Sequence, residues 1–212
     1  MSRSKFLIAC ALVAILALMS GPAWADDIPL LNASFETTNT LNLPFSGGPY
    51  NLGPIPSWDT SGVAGSWQPN SSMFSSIPDG SIVAYTNGGS ISQTLTGTSV
   101  LANTFYTLSV FVGNRMDGFT GAYTISLDAG ANTLCSFSGN SASIASGTFA
   151  DETCSFQSGS SVPLGDLSVV FTGSQGAQLD IDKASISTPE PTSLVLMAFG
   201  LSFLSLTLRR KA

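Results

Sequence analysis

The sequence feature that most limits the fold is an alternation of apolar and polar side chains along the middle of the chain. In 106–112 and 123–129, every second residue is apolar. These apolar residues are Tyr106, Leu108, Val110, Val112, Tyr123, Ile125, Leu127 and Ala129. A period of two places one face of a strand on a core and the other toward water. The pattern recurs in 167–171 and more weakly in 91–95, which predicts an all-β fold.

Turn-forming residues separate the alternating segments. They cluster at 78–80, 87–89, 114–118 and 173–176. Many short strands joined by such turns predict a β-sandwich. Residues 26–188 have no sustained helical periodicity and no internal repeat. The proline-rich segment 41–70 predicts a long ordered loop rather than a strand.

The N-terminus has the three-part form of a secretory signal peptide. Two basic residues precede an apolar run over 6–19, which is followed by Ala23-Trp24-Ala25. The small residues Ala23 and Ala25 predict that signal peptidase cleaves after Ala25 and removes residues 1–25. An uncleaved anchor is the alternative, but the run is shorter than the roughly 20 residues of a membrane-spanning helix.

The C-terminus contains an uncharged apolar run, 194–208, followed by Arg209, Arg210 and Lys211. A helix over this run satisfies its backbone internally and can lie in lipid. Its length of about 22 Å is short of the roughly 30 Å hydrocarbon core, and bilayer thinning and arginine snorkelling close that gap. The basic tail places this end in the cytoplasm. We therefore predict a single transmembrane helix over 194–208.

The segment before the predicted span contains Pro189-Glu190-Pro191. The prolines extend the backbone around Glu190, either as a spacer before an anchor or as a site for a processing enzyme. With the span and the terminal arginine pair, the tripeptide resembles the PEP-CTERM sorting signal of Gram-negative bacteria over 188–212. The resemblance implies an exosortase as partner, which cuts near the tripeptide and releases or transfers the preceding domain.

Both ends predict one topology, in which residues 26–187 form a single exported ectodomain. The predicted route crosses the inner membrane, passes through a transiently anchored form and ends at the cell surface or in the extracellular matrix. In 26–188, twelve acidic residues against two basic ones give a net charge of −10. Such a surface repels phosphate backbones and anionic lipid, so we expect no nucleic-acid partner.

Two cysteines remain in the ectodomain, Cys135 and Cys154, because Cys10 leaves with the signal peptide. An even pair in an exported domain is expected to form a disulfide. Two reduced thiols under a loop are the alternative. Zinc is disfavoured, since two cysteines in a chain without histidine cannot complete a tetrahedral site.

Three short segments lie at the start, middle and end of the ectodomain. They are Leu-Asn-Ala-Ser-Phe-Glu over 31–36, Pro-Asp-Gly and Ile-Ser-Gln-Thr-Leu within 78–95, and Leu-Asp-Ile-Asp-Lys-Ala-Ser-Ile over 179–186. Their order and spacing resemble the galactose-binding-like jelly roll of many carbohydrate-binding modules. The resemblance spans nearly all of 32–186 and implies a jelly-roll β-sandwich.

The same resemblance implies a structural calcium ion between Glu36 and Asp182, whose carboxylates are the hard ligands that Ca²⁺ prefers. Independently, the apolar positions change parity between Ile181 and Ala184, which predicts a β-bulge there. Lys183 stands where the family has a second aspartate, so it removes a ligand and adds a cation. Surface carboxylates that cap strand ends are therefore the alternative.

The sequence predicts no catalytic site. The absence of histidine removes Ser-His and Cys-His nucleophilic catalysis. The acidic residues in predicted turns and on outward strand positions do not form the facing pair that a glycosidase needs. Aromatic residues concentrate in the first third of the ectodomain, and Trp58 and Trp67 among them could stack on sugar rings or pack over the end of the sandwich.

Together these patterns predict a non-enzymatic exported protein, a structural component of the cell surface or matrix that associates with exopolysaccharide. A carbohydrate-binding module with a defined groove is the alternative, and a secreted glycoside hydrolase ranks third. The structural calcium is the only cofactor that we consider.

Overall fold

The computed structural model describes residues 25–189. Its strands are β1 (Ala25–Ile28), β2 (Asp59–Ser61), β3 (Ala64–Trp67), β4 (Val83–Thr86), β5 (Ser90–Ser99), β6 (Phe105–Asn114), β7 (Ala122–Ala129), β8 (Asn132–Asn140), β9 (Thr148–Gln157), β10 (Asp166–Gly173) and β11 (Leu179–Pro189). A 3₁₀ turn at Ser141–Ser143 follows β8. Within this part of the chain, no helix is long and apolar enough to cross a membrane.

Several predictions concern residues outside the described range. They are the signal peptide with Ala23, the transmembrane helix over 194–208, and the sorting residues Glu190, Pro191, Arg209 and Arg210.

Two sheets stack into a β-sandwich. The first sheet has the order β3-β4-β11-β6-β9, with β1 paired to β11, and the second has the order β2-β5-β10-β7-β8. The paired strands from β2 to β11 run antiparallel. This architecture confirms the all-β sandwich that the alternating sequence predicts.

The core lies between the sheets and consists of the residues that alternate in the sequence. Those of β6 and β7 are at most 3% exposed, and Leu167, Val169 and Phe171 of β10 are fully buried. Each such side chain stabilises the fold by about 1.5–3 kcal/mol through removal of apolar surface from water. The polar residues between them face outward, as a period of two requires.

A disulfide links Cys135 of β8 to Cys154 of β9, with Cα atoms 5.7 Å apart, and confirms the predicted pair. Strand β8 is the last strand of the second sheet, and β9 is the last strand of the first. The cysteines pair in register with Leu127 and Leu108, two core residues, so both face the space between the sheets. The bond therefore joins the two sheets at one open side of the sandwich.

The predicted bulge is present in β11. Its register with β6 shifts between Asp182 and Ser185, and Lys183 has a left-handed backbone with φ of 50°. The shift lets Ile181 on one side of the bulge and Ala184 on the other both reach the core, where they are at most 4% exposed. The parity change in the sequence is thus the signature of this bulge.

The prediction of a loop over 41–70 is wrong in one part, because β2 and β3 form within it. Both are short and lie at a free edge of a sheet, in the interval between Pro56 and Pro69 where no proline interrupts pairing. We call residues 41–77 the covering segment. It contributes β2 and β3 to the two sheets and Trp58 to the main core, and the rest of its apolar side chains form a second cluster with β4 on the outer face of the first sheet. Members of this cluster are Trp67, Met73 and Phe74 from the segment and Val83 and Tyr85 from β4.

Candidate ligand-binding site

A cavity of about 500 Å³ opens on the outer face of the first sheet. It lies where β4 and β6 end and β11 begins, beside the covering segment. Five aromatic side chains line it, namely Phe45, Tyr50, Trp67, Tyr85 and Phe119. We call this cavity the aromatic pocket.

The mouth of the aromatic pocket is apolar and open to solvent. Phe45, Leu52, Val63 and Phe119 all line the pocket and are between 39% and 57% exposed. Large apolar side chains grouped at a concave surface mark an interaction site more often than isolated ones do. The pocket is therefore the described surface best suited to a ligand.

Arg115 holds the base of the pocket together. Its guanidinium carbon lies 4.8 Å from the ring centroid of Trp67 and 5.5 Å from the centroids of Phe45 and Phe119. Both nitrogens on one edge of the guanidinium donate to the carboxylate of Asp117, which makes a bidentate ion pair. Arg115 is only 6% exposed, and these contacts fix its guanidinium group between the aromatic rings.

Two opposing influences set the pKa of Asp117. Partial burial alone would raise this pKa, but hydrogen bonds from Arg115 and from the Phe119 N–H, together with the guanidinium charge, lower it below the usual value. Asp117 is 35% exposed and remains ionised beside the pocket mouth.

A second polar chain runs from Arg115 under the pocket to Asp180. Arg115 donates to Gln178 Oε1 at 2.7 Å, and Gln178 Nε2 donates to Asp180 Oδ1 at 2.5 Å. Asp180 is fully buried opposite Tyr85 in the sheet register, and its Oδ2 has no hydrogen-bond partner among the described residues. Burial raises the pKa of Asp180 to about 7, although the Gln178 hydrogen bond and the Arg115 charge act in the opposite direction.

Asn87 contributes a polar side chain to the pocket wall. It follows β4, and its backbone N–H donates to Val63 at 2.7 Å, which fixes the position of the residue. Its side chain lines the pocket, and its buried Oδ1 has no hydrogen-bond partner within residues 25–189. The Oδ1 atom is shielded from the cavity, whereas the Nδ2 group has no hydrogen-bond partner among the described residues and can donate to a ligand.

The two tryptophans predicted as stacking platforms have different positions. Trp58 is 4% exposed in the core, where its ring packs on Phe35 and Phe171 and its Nε1 donates to the carbonyl of Asn32. Of the two roles that the sequence allowed, stacking on sugar and packing, Trp58 has the packing role. Trp67 lines the pocket but is 2% exposed, with its Nε1 bound to the carbonyl of Gly48.

Glu36 and Asp182 meet at one turn, residues 78–82. Glu36 Oε1 accepts hydrogen bonds from two N–H groups of the turn at 2.7 and 2.8 Å, and Asp182 accepts one from the Asp79 N–H at 2.8 Å. A Cβ atom at Gly80 would lie 2.2 Å from the Glu36 carboxyl carbon, so only glycine fits there. These hydrogen bonds connect three segments that are distant in sequence.

This arrangement fits the predicted calcium ion only in part. Two hard carboxylates are present, but within residues 25–189 no group of three acidic, histidine or cysteine side chains could hold a metal ion. Lys183 does not neutralise them, because its Nζ lies 5.7 Å from the ring centroid of Phe111. Calcium binding by Glu36 and Asp182 stays a prediction.

The calcium prediction can be tested through the pH dependence of stability. Burial raises the pKa of Asp182 from 3.8 to about 7, against the opposing effect of its backbone hydrogen bonds. The folded state then binds this proton more tightly than the unfolded state does, so stability is highest below about pH 4 and falls as pH rises to about 7. A bound calcium ion favours the ionised carboxylate and would restore stability above pH 7.

We expect the melting temperature of the ectodomain in chelator to fall between pH 4 and pH 7, and to rise at pH 8 when millimolar calcium is added. Asp182→Asn should abolish the calcium effect and part of the pH effect, with Asp180 responsible for the rest. If calcium does not raise the melting temperature of the parent, Glu36 and Asp182 serve only to hold the turn at 78–82 by hydrogen bonds. If calcium still raises the melting temperature of Asp182→Asn, the ion binds elsewhere.

Sequence reasoning missed the polar residues in the pocket and beneath it. Asn87, Arg115 and Gln178 line the pocket, and Asp180 lies beneath it. The available signal was charge: Arg115 is one of only two basic residues in 26–188, and a cation that rare in an acidic domain is a candidate for a specific role.

The comparison with known families covers the whole sandwich. Residues 26–187 match the family model HpiC1-like, described as HpiC1 cyclase. The chain belongs to the HpiC1-like family. No curated protein matches it.

The C-terminal segment, residues 187–211, matches the PEP-CTERM protein-sorting motif. The match confirms the resemblance seen in the sequence. This HpiC1-like chain is therefore an exported protein with an exosortase as its processing partner, and its sorting signal directs it to the cell surface.

Solved structures similar to this HpiC1-like chain include two cyclases. A cyclase from Fischerella sp. TAU in complex with 4-(1H-indol-3-yl)butan-2-one is 25% identical, with a TM-score of 0.64 over 79% of this chain and 100% of that chain. The Stig cyclase Fisc from Fischerella sp. TAU, in complex with (3Z)-3-(1-methyl-2-pyrrolidinylidene)-3H-indole, is 22% identical, with the same TM-score and coverage.

A third neighbour is the CBM22-1 xylan-binding domain of Xyn10C from Paenibacillus barcinonensis. It is 13% identical, with a TM-score of 0.49 over 81% of this chain and 99% of that chain. Similarity at this level is too low to indicate a shared ligand.

Proposed function

We propose that the mature protein is a non-enzymatic saccharide-binding component of the cell surface or extracellular matrix, which associates with exopolysaccharide through the aromatic pocket. The supporting observation is the pocket, where the exposed rings of Phe45 and Phe119 and the amide side chain of Asn87 line one cavity. Sugar rings have apolar faces that pack on aromatic side chains, and their hydroxyl oxygens can accept from an amide N–H group.

The size and rigidity of the pocket support a small ligand. Its volume of about 500 Å³ lies within the range of about 300–1,000 Å³ that is usual for small-molecule sites. Arg115 is fixed by Asp117 and Gln178, so the rings packed on it are held before any ligand arrives. Preorganisation of this kind lowers the entropic cost of binding.

The proposed route to the site of action has four steps. Signal peptidase removes residues 1–25, and the chain crosses the inner membrane of a Gram-negative bacterium. The helix over 194–208 then anchors it transiently, and an exosortase cuts near Pro189-Glu190-Pro191. All pocket residues belong to the ectodomain, so the pocket lies on the periplasmic side of the inner membrane while the chain is anchored and outside the cell after release.

We expect Phe119→Ala to weaken saccharide binding about fivefold, because a lost ring contact corresponds to about 1 kcal/mol. Binding can be measured by calorimetry on the purified ectodomain, after a glycan array has selected the saccharide. The matched control is Phe105→Ala. Phe105 is 40% exposed and Phe119 is 39% exposed. Phe105 begins β6, whereas the pocket lies beside the end of this strand.

Equal losses in Phe119→Ala and Phe105→Ala would place the saccharide outside the aromatic pocket. An array without any bound glycan would refute the saccharide-binding function itself.

A second candidate function is a cyclase, the activity that the family description names. Asp180 favours it, since this fully buried carboxyl group lies under the pocket with a pKa of about 7, and its Oδ2 has no hydrogen-bond partner among the described residues. A carboxyl group protonated near neutral pH can act as a general acid. In this candidate, Gln178 orients Asp180, and the aromatic rings hold an apolar substrate.

The two candidates differ in their expected ligand. The ectodomain can be titrated with 4-(1H-indol-3-yl)butan-2-one, the compound bound to the Fischerella cyclase, and with the saccharide from the array. Tighter binding of the indole than of any saccharide, with loss of affinity in Asp180→Asn, would favour the cyclase function. The saccharide-binding function predicts the reverse order and little effect of Asp180→Asn on affinity.

A further inference from the structure

The chain leaves the sandwich at the end opposite to the aromatic pocket. Strand β11 runs antiparallel to β6, and its residue Ser187 lies beside Thr107 near the start of β6. Three loops lie at this end: 100–104 joins β5 to β6, 130–131 joins β7 to β8, and 158–165 joins β9 to β10. We call the end formed by these three loops the exit end.

The exit end combines exposed apolar side chains with an absence of charge in its loops. Leu164 is 85% exposed and Leu101 is 66% exposed, the two highest values among the large apolar side chains that the structure describes. None of the three loops contains a charged residue, although 26–188 has a net charge of −10, and the first acid after them, Asp166, begins β10. Single exposed leucines are common, but an uncharged end of so acidic a domain is well suited to leave water.

Hydrogen bonds hold the loops of the two leucines in place. The Ser158 hydroxyl donates to the carbonyl of Leu101 at 2.6 Å, which joins the β5–β6 loop to the β9–β10 loop. The Gly130 N–H donates to the carbonyl of Asp166 at 3.1 Å and so connects the β7–β8 hairpin to the end of the loop that contains Leu164. The three loops therefore form one connected surface.

The predicted transmembrane helix follows the exit end closely along the chain. Strand β11 ends at Pro189, and the apolar run begins at Leu194. Five peptide units span at most about 18 Å, even when they are fully extended. Part of this length crosses the headgroup layer, which adds roughly 5–8 Å on each side of the hydrocarbon core. The exit end of an anchored chain therefore stays close to the bilayer surface.

We propose that the exit end lies on the bilayer surface while the protein is anchored, with Leu101 and Leu164 inserted among the lipid headgroups. This inference rests on the transient anchor of the proposed route. Removal of apolar surface from water favours the contact, and the tether raises the effective concentration of the bilayer at the exit end. The lipid is zwitterionic, because the net charge of −10 repels an anionic surface. In this orientation the sorting tripeptide lies at the membrane surface, and the aromatic pocket lies at the end of the sandwich away from it.

The test places a tryptophan on the exit end of the mature chain before processing, residues 26–212, reconstituted in phosphatidylcholine vesicles. Bromine atoms on the acyl chains quench a tryptophan that they contact. Emission from Leu164→Trp should fall about twofold when brominated lipid replaces plain lipid, since interfacial apolar side chains reach the boundary between headgroups and acyl chains. The signal of the parent, from the buried Trp58 and Trp67, is subtracted.

Three controls accompany this measurement. Met116→Trp is the matched variant, because Met116 is 45% exposed and follows β6 at the opposite end of the sandwich, so its emission should not change. Phe203→Trp lies within the predicted span and should be quenched wherever the anchor is inserted. The Leu164→Trp ectodomain without residues 189–212 should not be quenched, since it lacks the tether. Thermal melts confirm that each variant is folded.

The outcomes separate this inference from the anchor on which it rests. Quenching of Phe203→Trp without quenching of Leu164→Trp would overturn the inference and leave the anchor intact, whereas an unquenched Phe203→Trp would refute both. Equal quenching of Leu164→Trp and Met116→Trp would show that the domain has no preferred end on the lipid.

Two further results would assign the exit end to a protein instead of lipid. A blue shift of Leu164→Trp emission without quenching would indicate contact with a second copy of the chain. Slower release of the double variant Leu101→Asn with Leu164→Asn from cells, without lipid quenching in vesicles, would indicate contact with the processing enzyme.

Discussion

Replacement of Arg115 by methionine is expected to lower the free energy of unfolding of the ectodomain by about 1.5–3 kcal/mol, the usual contribution of hydrogen bonds to a charged group. This is less than the roughly 3–5 kcal/mol of a fully buried ion pair, because Asp117 is 35% exposed. Methionine preserves much of the side-chain volume but leaves Asp117 without its cation and Gln178 without a donor. The contacts with Phe45, Trp67 and Phe119 lose their cation–π component as well. Urea denaturation followed by tryptophan fluorescence measures the loss as a shift of the midpoint.

The matched control for this prediction is Lys183→Met, which removes the other basic residue of 26–188. Lys183 is exposed, and its ammonium group lies near the Phe111 ring, so a change of no more than about 0.5 kcal/mol is expected. A similar effect of both substitutions would mean that net charge rather than the buried network determines the stability difference.

Loss of the Cys135–Cys154 disulfide is expected to destabilise the ectodomain by about 3 kcal/mol, since the bond closes a loop of about 20 residues in the unfolded chain. For a domain of this size, that corresponds to a decrease in melting temperature of roughly 6–12 °C. The variant is Cys135→Ser with Cys154→Ser, and calorimetry gives the melting temperature. The effect should be large because this bond connects the edge strands of two different sheets.

Reductant provides the internal control for the disulfide. It should lower the melting temperature of the parent to that of the double serine variant and leave the variant unchanged. Labelling of both thiols by an alkylating agent without reductant, in protein collected outside the cell, would contradict the prediction.

Features that depend on local sequence were predictable. The alternation in 106–112 and 123–129 identified β6 and β7 and their buried faces. The parity change between Ile181 and Ala184 identified the bulge in β11. Each follows from the two-residue period of a strand, which is visible in the sequence whatever the strand packs against.

The aromatic pocket was not predictable, because it forms from segments that are far apart in sequence. Arg115 lies in a stretch that reads only as a turn, and Gln178 directly precedes β11. Asp180 alternates with core residues in β11, and the alternation assigns it to solvent. It is nevertheless fully buried beside Tyr85 in the sheet register, and no periodicity in the sequence reveals this. Trp67 was noticed as an aromatic residue, but its burial follows from long-range contacts as well.

The central place of β11 in the first sheet has a consequence for secretion. This strand lies between β4 and β6, both of which leave the export channel well before it. Until β11 emerges, the hairpin of β3 and β4 and the pair of β6 and β9 share no strand, so the sheet exists only as two halves. The register of β11 with β6 continues to Ser187, and β11 ends at Pro189, the first residue of the sorting tripeptide. The strand that joins the two halves of the first sheet is therefore the last part of the ectodomain before its processing site.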